Sequence, residues 1–175
     1  MMKDLSSLQL DNPFWQFSLQ QWKNSKLQQQ LLSLQDEKAY RINLLLLGMW
    51  LSFEHKDIRP HQDNLIAQTS EWHENIVLPL RQVRQALPSE LPQQSRSLKT
   101  QLQTSELHAE QIEQALLFKA CAKIPDSKTI KLDSLDWLVL NLSASHLEKS
   151  DLFLLIQNCL PMHPTHRINE RLNAI

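Results

Sequence analysis

The sequence predicts an all-α fold, arranged as a single helical bundle of about six to eight helices. Leucine occurs 34 times, whereas valine and isoleucine together occur 13 times, and leucine with Gln, Glu, Lys and Ala favours helices. Gly48 is the only glycine, and no Asn-Gly or Asp-Gly pair is present to form a hairpin turn. With 175 residues and an apolar fraction of 42%, the chain can form a core as one domain without a metal or a disulfide.

The central helix of the bundle is predicted at residues 43–54, which contain the most apolar run, NLLLLGMWLSF. This run is too short for a membrane, because a spanning helix needs about 20 apolar residues. A helix that is apolar on every side is surrounded by other helices. We expect Asn43 to cap it, because Asn is a preferred N-cap residue.

Gly48 lies in the middle of this helix, where glycine costs about 1 kcal/mol relative to alanine. We therefore expect a neighbouring helix or tryptophan ring to approach its backbone closely. The alternative is a small apolar ligand held in a pocket near Gly48 and Trp50.

The segments on both sides of this helix are predicted to complete a helical core over residues 12–87. The first helix begins at DNPFW, where Asp11 or Asn12 can cap it and Pro13 suits its first position. The second begins at Asn24 or Ser25. A longer helix over about residues 70–87 has a predicted apolar stripe, and Pro79 is expected to kink or divide it. The stripe comprises Trp72, Ile76, Leu80, Val83 and Leu87.

The second half of the chain is predicted to contain a linker, further helices and a mobile tail. Residues 88–97, PSELPQQSRS, have the prolines and serines of a linker. Residues 98–160 contain the C-terminal helices, one of which Asp133 or Ser134 can cap. Pro161 ends the last of them, and we expect residues 161–175 to be mobile.

The charge and the cysteine content indicate which classes of partner and which cellular compartment to expect. The formal net charge is −1 and the pI about 6.6, so no bulk field attracts nucleic acid or an anionic membrane, and neither is expected as a partner. Cys121 and Cys159 lack metal-ligand spacing and are expected to be free thiols in a reducing compartment. Because no apolar signal segment follows Lys3, we expect a cytoplasmic protein.

The patterns that mark common enzymes are missing. Phosphate loops and nucleophile elbows need glycines, and Gly48 stands alone in a predicted helix. His163 and His166 have no third metal ligand nearby, and no HExxH pattern occurs. Acidic pairs such as Glu110 with Glu113 are typical of solvated helix faces. We therefore predict no catalytic residue, no metal site and no cofactor.

Aromatic and basic residues suggest a binding surface. Trp15, Leu19 and Trp22 share one face of the first helix, and its apolar width exceeds one helix contact. A helical wheel places Arg81 opposite the Trp72 stripe and Arg84 on the same edge as His73. The candidate interaction surface comprises Trp15, Trp22, His73, Arg81 and Arg84, with the basic residues facing an acidic partner or simply solvent.

These observations favour a helical protein–protein interaction module without catalysis. Its partner is a protein of unknown identity, and the simplest version is a homodimer through the first helix. The alternative is a binding protein or enzyme for a small apolar molecule, with its pocket near Gly48 and Trp50.

An ordered series of motifs over residues 13–87 resembles a family of short, uncharacterised proteobacterial proteins. The series is FWxFSL from Phe14, then LQD, then NLLL with Trp50-Leu51, then Trp72, then PLRxxR ending at Arg84. This chain has DEKAYRIN where members of the family often have a glycine. The resemblance implies a bacterial origin and a helical domain, and it implies no activity, ligand or catalytic residue.

Overall fold

The computed structural model describes residues 5–88, 90, 92–127 and 131–175, and these residues confirm the all-α helical fold. Two short 3-10 turns cover Arg59–His61 and Gln93–Ser95, and one π-helical turn covers His73–Val77. The described residues form nine α-helices: α1 Pro13–Gln21, α2 Ser25–Lys38, α3 Ile42–Phe53, α4 Gln62–Trp72, α5 Leu78–Ala86, α6 Arg96–Cys121, α7 Ser134–Ser143, α8 Lys149–Cys159 and α9 Thr165–Asn173.

Contacts within the chain group it into two compact units. Unit 1 comprises residues 1–15 and 64–122, and unit 2 comprises residues 16–63 and 123–175. Of the predicted linker at residues 88–97, Ser89 and Leu91 lie outside the described residues. None of the helices that the structure describes is long and apolar enough to cross a membrane.

Local capping chemistry sets several helix starts as predicted. Asn12 accepts a hydrogen bond from the backbone N–H of Trp15 at 2.9 Å, and Asn24 accepts one from Leu27 at 3.3 Å. Asp133 and Asp136 form a capping box at α7. These short polar side chains satisfy N–H groups that the first helical turn leaves without a partner.

The predicted cap at Asn43 is wrong, because α3 already begins at Ile42 and Asn43 is buried within it. The chain reverses earlier, at Ala39, which ends α2 in the left-handed conformation with φ 57°. The N–H groups of Ala39 and Tyr40 donate to the carbonyls of Gln35 and Leu34 and close the helix end. Glycine is favoured in that conformation, and here alanine adopts it.

Unit 2 is built on the close packing of α3 against α7. All residues of α3 from Ile42 to Ser52 are buried except Leu44, as expected for a central helix. Asn141 of α7 donates from Nδ2 to Ser52 Oγ (3.1 Å) and to the Lys56 carbonyl (2.9 Å), and its Oδ1 accepts from the Ile58 N–H (3.0 Å). This amide therefore joins α7 to the end of α3 and to the segment that follows it.

Gly48 lies where α7 passes α3, but the approach is not close enough to require a glycine. A Cβ atom at Gly48 would lie 3.4 Å from Leu142 Cδ2 and 3.7 Å from the Asn141 carbonyl oxygen, ordinary contact distances. Gly48→Ala should therefore fit and gain up to about 1 kcal/mol of helix propensity. Gly48→Leu should overpack this contact and cost about 1–3 kcal/mol. Urea unfolding of both variants measures the difference, and equal midpoints for both would contradict this packing.

The C-terminal segment differs from the expected mobile tail. It contains α9, whose Ile168 is 0% and Leu172 2% exposed, and α9 packs on α7 and α8. Arg171 Nε also lies 2.7 Å from Asp136 Oδ1 of α7. Two apolar side chains one turn apart are enough to dock an otherwise polar helix on its neighbours.

In unit 1, the π-helical turn and α5 pack against the long helix α6. Pro79 lies in the first turn of α5, and the backbone stays helical on both sides of it, so it does not break the predicted helix. Proline has no N–H and its ring would collide with the carbonyl one turn earlier in a regular α-helix. The wider π-helical turn precedes it, and there the Leu78 N–H donates to the His73 carbonyl five residues back.

Candidate functional site

Three carboxylates of α6 face two arginines and a histidine across the interior of unit 1. Arg81 donates from Nε to Glu106 Oε1 (3.0 Å) and from Nη2 to Glu110 Oε1 (2.6 Å). Arg84 also donates to both oxygens of Glu106. His73 Nδ1 lies 3.0 Å from Glu113 Oε1. We call these six residues the charge network: His73, Arg81, Arg84, Glu106, Glu110 and Glu113.

The charge network is largely shielded from water. Glu113 is 0% exposed, and Glu106, His73 and Arg81 are each 7–8% exposed. Next to it, the indole N–H of Trp72 donates to the Ala109 carbonyl at 2.9 Å. Buried charges are tolerated when paired, so these contacts hold α5 and the π-helical turn in one register on α6.

The observed position of Arg81 differs from the position that the helical wheel predicts. The wheel placed Arg81 opposite the core, whereas Arg81 is buried and Val83 of the predicted apolar stripe is 51% exposed. A π-helical turn adds one residue to the helical path, which rotates the faces after it by about 100° relative to a continuous α-helix. His73, Val77 and Arg81 consequently form the buried side.

Two carboxyl groups of the charge network have opposite pKa shifts. Burial raises the pKa of Glu106, but hydrogen bonds and attraction from Arg84 and Arg81 outweigh it, so its pKa is lowered. Burial raises the pKa of Glu110, and here Arg81 offsets only part of that effect. Folding therefore favours the ionised form of Glu106 and disfavours the ionised form of Glu110.

These shifts predict that Glu110→Gln stabilises the protein as the pH rises. A carboxyl whose pKa is raised by folding contributes its full stabilisation below its unfolded pKa of about 4.3. That contribution is lost as the pH rises through the higher pKa of the folded state. Glutamine mimics the neutral acid, so the variant should match the wild type near pH 4 and exceed it at pH 7. Thermal unfolding across this range checks the sign, and a variant less stable than wild type at pH 7 would contradict it.

The basic residues of the candidate interaction surface are thus brought together, but inside unit 1. The side chains of His73 and Arg81 face glutamates of the same chain, so they do not present a basic edge to an acidic partner. Arg84 keeps 24% side-chain exposure while it contacts Glu106. The sequence interpretation also missed the glutamates of the charge network, since Glu110 and Glu113 had been placed on a solvated face. The spacing of Glu106, Glu110 and Glu113 was the available signal, because it puts them on one helix face.

The aromatic part of the candidate interaction surface lies on α1. Phe14 is fully buried, whereas Trp15 and Trp22 are half-buried and Leu19 is 40% exposed. In the part of α1 that belongs to unit 2, Gln16 and Gln20 are exposed beside Leu19. Phe17 contacts Phe53 of α3, with ring centroids 5.8 Å apart.

We define the α1 face by four residues of unit 2 that share one side of the first helix and its end and that are exposed or half-buried. Phe53 is also 40% exposed, but it contacts Phe17, which lies about 160° around α1 from Leu19, so Phe53 is not part of this face. No charged residue occurs from Asn12 to Trp22, although 21% of the chain is charged. The face comprises Gln16, Leu19, Gln20 and Trp22.

The candidate pocket residues lie in the packed interior of unit 2. Trp50 is 8% exposed, and Leu142 and Asn141 of α7 occupy the side of Gly48 where a side chain would project. The structure thus places helix-to-helix packing at Gly48, and no observation there favours a ligand. Among the residues that the structure describes, no three His, Cys, Asp or Glu side chains are arranged to hold a metal ion.

The helices and the charge network define the class, which is an all-α protein with a buried ionic contact between neighbouring helices. The chain belongs to the family described as protein of unknown function (DUF2390), whose model matches residues 13–117. The matched region contains the α1 face and all six residues of the charge network. Comparisons with curated proteins and with solved structures find no match.

Proposed function

We propose that this protein is a non-catalytic protein–protein interaction module of the proteobacterial cytoplasm, and that it binds its partner through the α1 face. The single observation that supports this is apolar side-chain surface exposed on an uncharged helix. The free cysteines, Cys121 and Cys159, suit the reducing cytoplasm.

Burial of the α1 face would supply a useful binding energy. Leu19 keeps 40% of its surface in water, and Trp22 is half-buried. Completing the burial of such side chains contributes about 1 kcal/mol each, and a partly exposed tryptophan is a frequent binding anchor. The glutamines beside them can donate and accept hydrogen bonds at the edge of the contact.

The basic residues have no part in this proposal. His73 and Arg81 are buried in the charge network, which holds unit 1 together, so recognition does not depend on an acidic partner. The absence of charge on the α1 face also gives no attraction to nucleic acid or to an anionic membrane.

Photo-crosslinking in the native bacterium tests this proposal. A benzophenone amino acid at position 19 should capture a discrete protein band upon irradiation. The matched control is position 32 on α2, because Leu32 is 37% exposed and Leu19 is 40% exposed. We expect capture from position 19 and not from position 32. Absence of any adduct from position 19, with the protein folded and irradiated at its own cellular level, would overturn the proposal.

A further inference from the structure

We infer that the charge network is a pH-sensitive switch: when Glu106 and Glu110 are both protonated, the π-helical turn and α5 separate from α6 while unit 2 stays folded. This inference goes beyond the proposed function and does not depend on it, because the α1 face belongs to unit 2. It starts from the way in which α5 is attached. Arg81 is the only buried residue of this nine-residue helix, so ionic contacts hold α5 more than apolar burial does.

The apolar side chains of α5 add little to this attachment. Leu80 is half-buried, and Val83 is 51% exposed. In unit 2, by contrast, ten of the twelve residues of α3 are buried, and the amide of Asn141, which does not titrate, joins α3 to α7. Loss of charge should therefore open α5 before it affects α3 and α7.

Arg81 is a buried cation whose two described hydrogen bonds both go to carboxyl groups of α6. Its Nε donates to Glu106 and its Nη2 donates to Glu110. A guanidinium stays charged at every pH that a protein meets. Once both glutamates are neutral, the charge of Arg81 would remain in the interior without a counter-charge, which is strongly unfavourable. The helix that carries Arg81 should then move into water.

The other members of the charge network do not supply the missing negative charge in acid. Arg84 is always cationic, His73 is either neutral or cationic, and protonation leaves Glu113 neutral. These three groups, with the two glutamates that bond Arg81, are the titratable groups that the charge network brings together from the π-helical turn, α5 and α6. Acid therefore leaves cations that face neutral carboxyl groups.

Glu106 sets the pH at which the switch operates. Burial raises the pKa of Glu110, so this group is protonated first. Burial also opposes the ionisation of Glu106, but hydrogen bonds and attraction from Arg84 and Arg81 lower its pKa overall. A carboxyl with a lowered pKa stabilises the fold fully above its unfolded pKa of about 4.3 and ceases to do so as the pH falls through its folded pKa. We therefore expect α5 to stay in place at neutral pH and to separate below about pH 4.

Hydrogen exchange of the full-length protein, corrected for the intrinsic effect of pH on the exchange rate, tests the switch between pH 7 and about pH 3. The amides of Leu78–Ala86 should lose protection several-fold in acid, whereas those of Ile42–Phe53 should keep theirs. If Leu78–Ala86 stays protected throughout, or if both segments lose protection at the same pH, the inference is wrong.

Paired substitutions show whether the charge network causes the acid response. Arg81→Met combined with Glu106→Leu replaces the ion pair by apolar side chains of similar volume, a change that buried sites often tolerate. In this variant α5 should keep its protection in acid. The matched control is Arg59→Met with Asp57→Leu, which removes an exposed ion pair of unit 2 and should leave the response of α5 as in the wild type. An acid response that persists without Arg81 and Glu106 overturns the inference. If that variant does not fold, the comparison of the two segments in the wild type decides alone.

Discussion

Replacing Glu106 with glutamine is expected to lower the free energy of unfolding by about 3–5 kcal/mol, the usual cost of removing one partner of a buried ion pair. Glu106 accepts hydrogen bonds from both Arg81 and Arg84 and is 7% exposed. Glutamine preserves its size but removes the charge that balances two guanidinium groups. Arg81 would then remain buried with Glu110, whose own pKa is raised by burial.

Hydrogen exchange and urea unfolding measure this effect. The amides of α5 and α6 should lose protection in the Glu106→Gln variant, because the charge network holds these two helices together. Glu110→Gln is the matched control on the same face of α6, and it should cost nothing at pH 7. Equal losses of stability in the two variants would contradict this account, in which Glu106 accepts hydrogen bonds from two arginines and Glu110 from Arg81.

Replacing Asn141 with leucine is expected to destabilise the protein by about 2–5 kcal/mol. The side chains are similar in volume, but leucine leaves the Ile58 N–H and the Lys56 carbonyl without their present partner. A buried backbone group without a hydrogen bond costs about 1–3 kcal/mol, and two such groups are affected.

Circular dichroism during urea unfolding measures the loss, with Asn64→Leu as the control. Asn64 is exposed on α4, so the same chemical change there should stay within about 0.5 kcal/mol. An Asn141→Leu variant as stable as the control would mean that water or other groups replace the lost hydrogen bonds.

Features set by local chemistry were predictable from the sequence. Asn12, Asn24 and Asp133 bond to N–H groups three residues ahead, so their capping follows from short spacing alone. The apolar run around Gly48 required helices on all sides, and α7 packs beside Gly48 at a distance that would also admit alanine. By contrast, residues 161–175 were expected to be mobile, whereas the structure orders α9 on α7 and α8. Only Ile168 and Leu172 of α9 are buried, and their partners lie on those other helices.

The charge network was not predictable, for two physical reasons. Arg81 and Glu106 are 25 residues apart, and no local periodicity reports a partner on another helix. The π-helical turn also breaks the 100° step on which a helical wheel depends, so Arg81 and Val83 were assigned to the wrong sides. Leu19 and Trp22 of the α1 face could be predicted from the sequence, because they form a stripe with Trp15 at helical spacing.

Thiol labelling tests most directly whether the α1 face is an occupied binding surface. Cys121 is buried, and burial raises the pKa of the Cys159 thiol to about 12, so neither should react readily with a maleimide. Leu19→Cys and Leu32→Cys then each provide one reactive thiol of similar exposure. In intact cells Cys at position 19 should label several-fold more slowly than at position 32, and the two should label equally in dilute pure protein. Equal rates at both positions in cells would contradict the account.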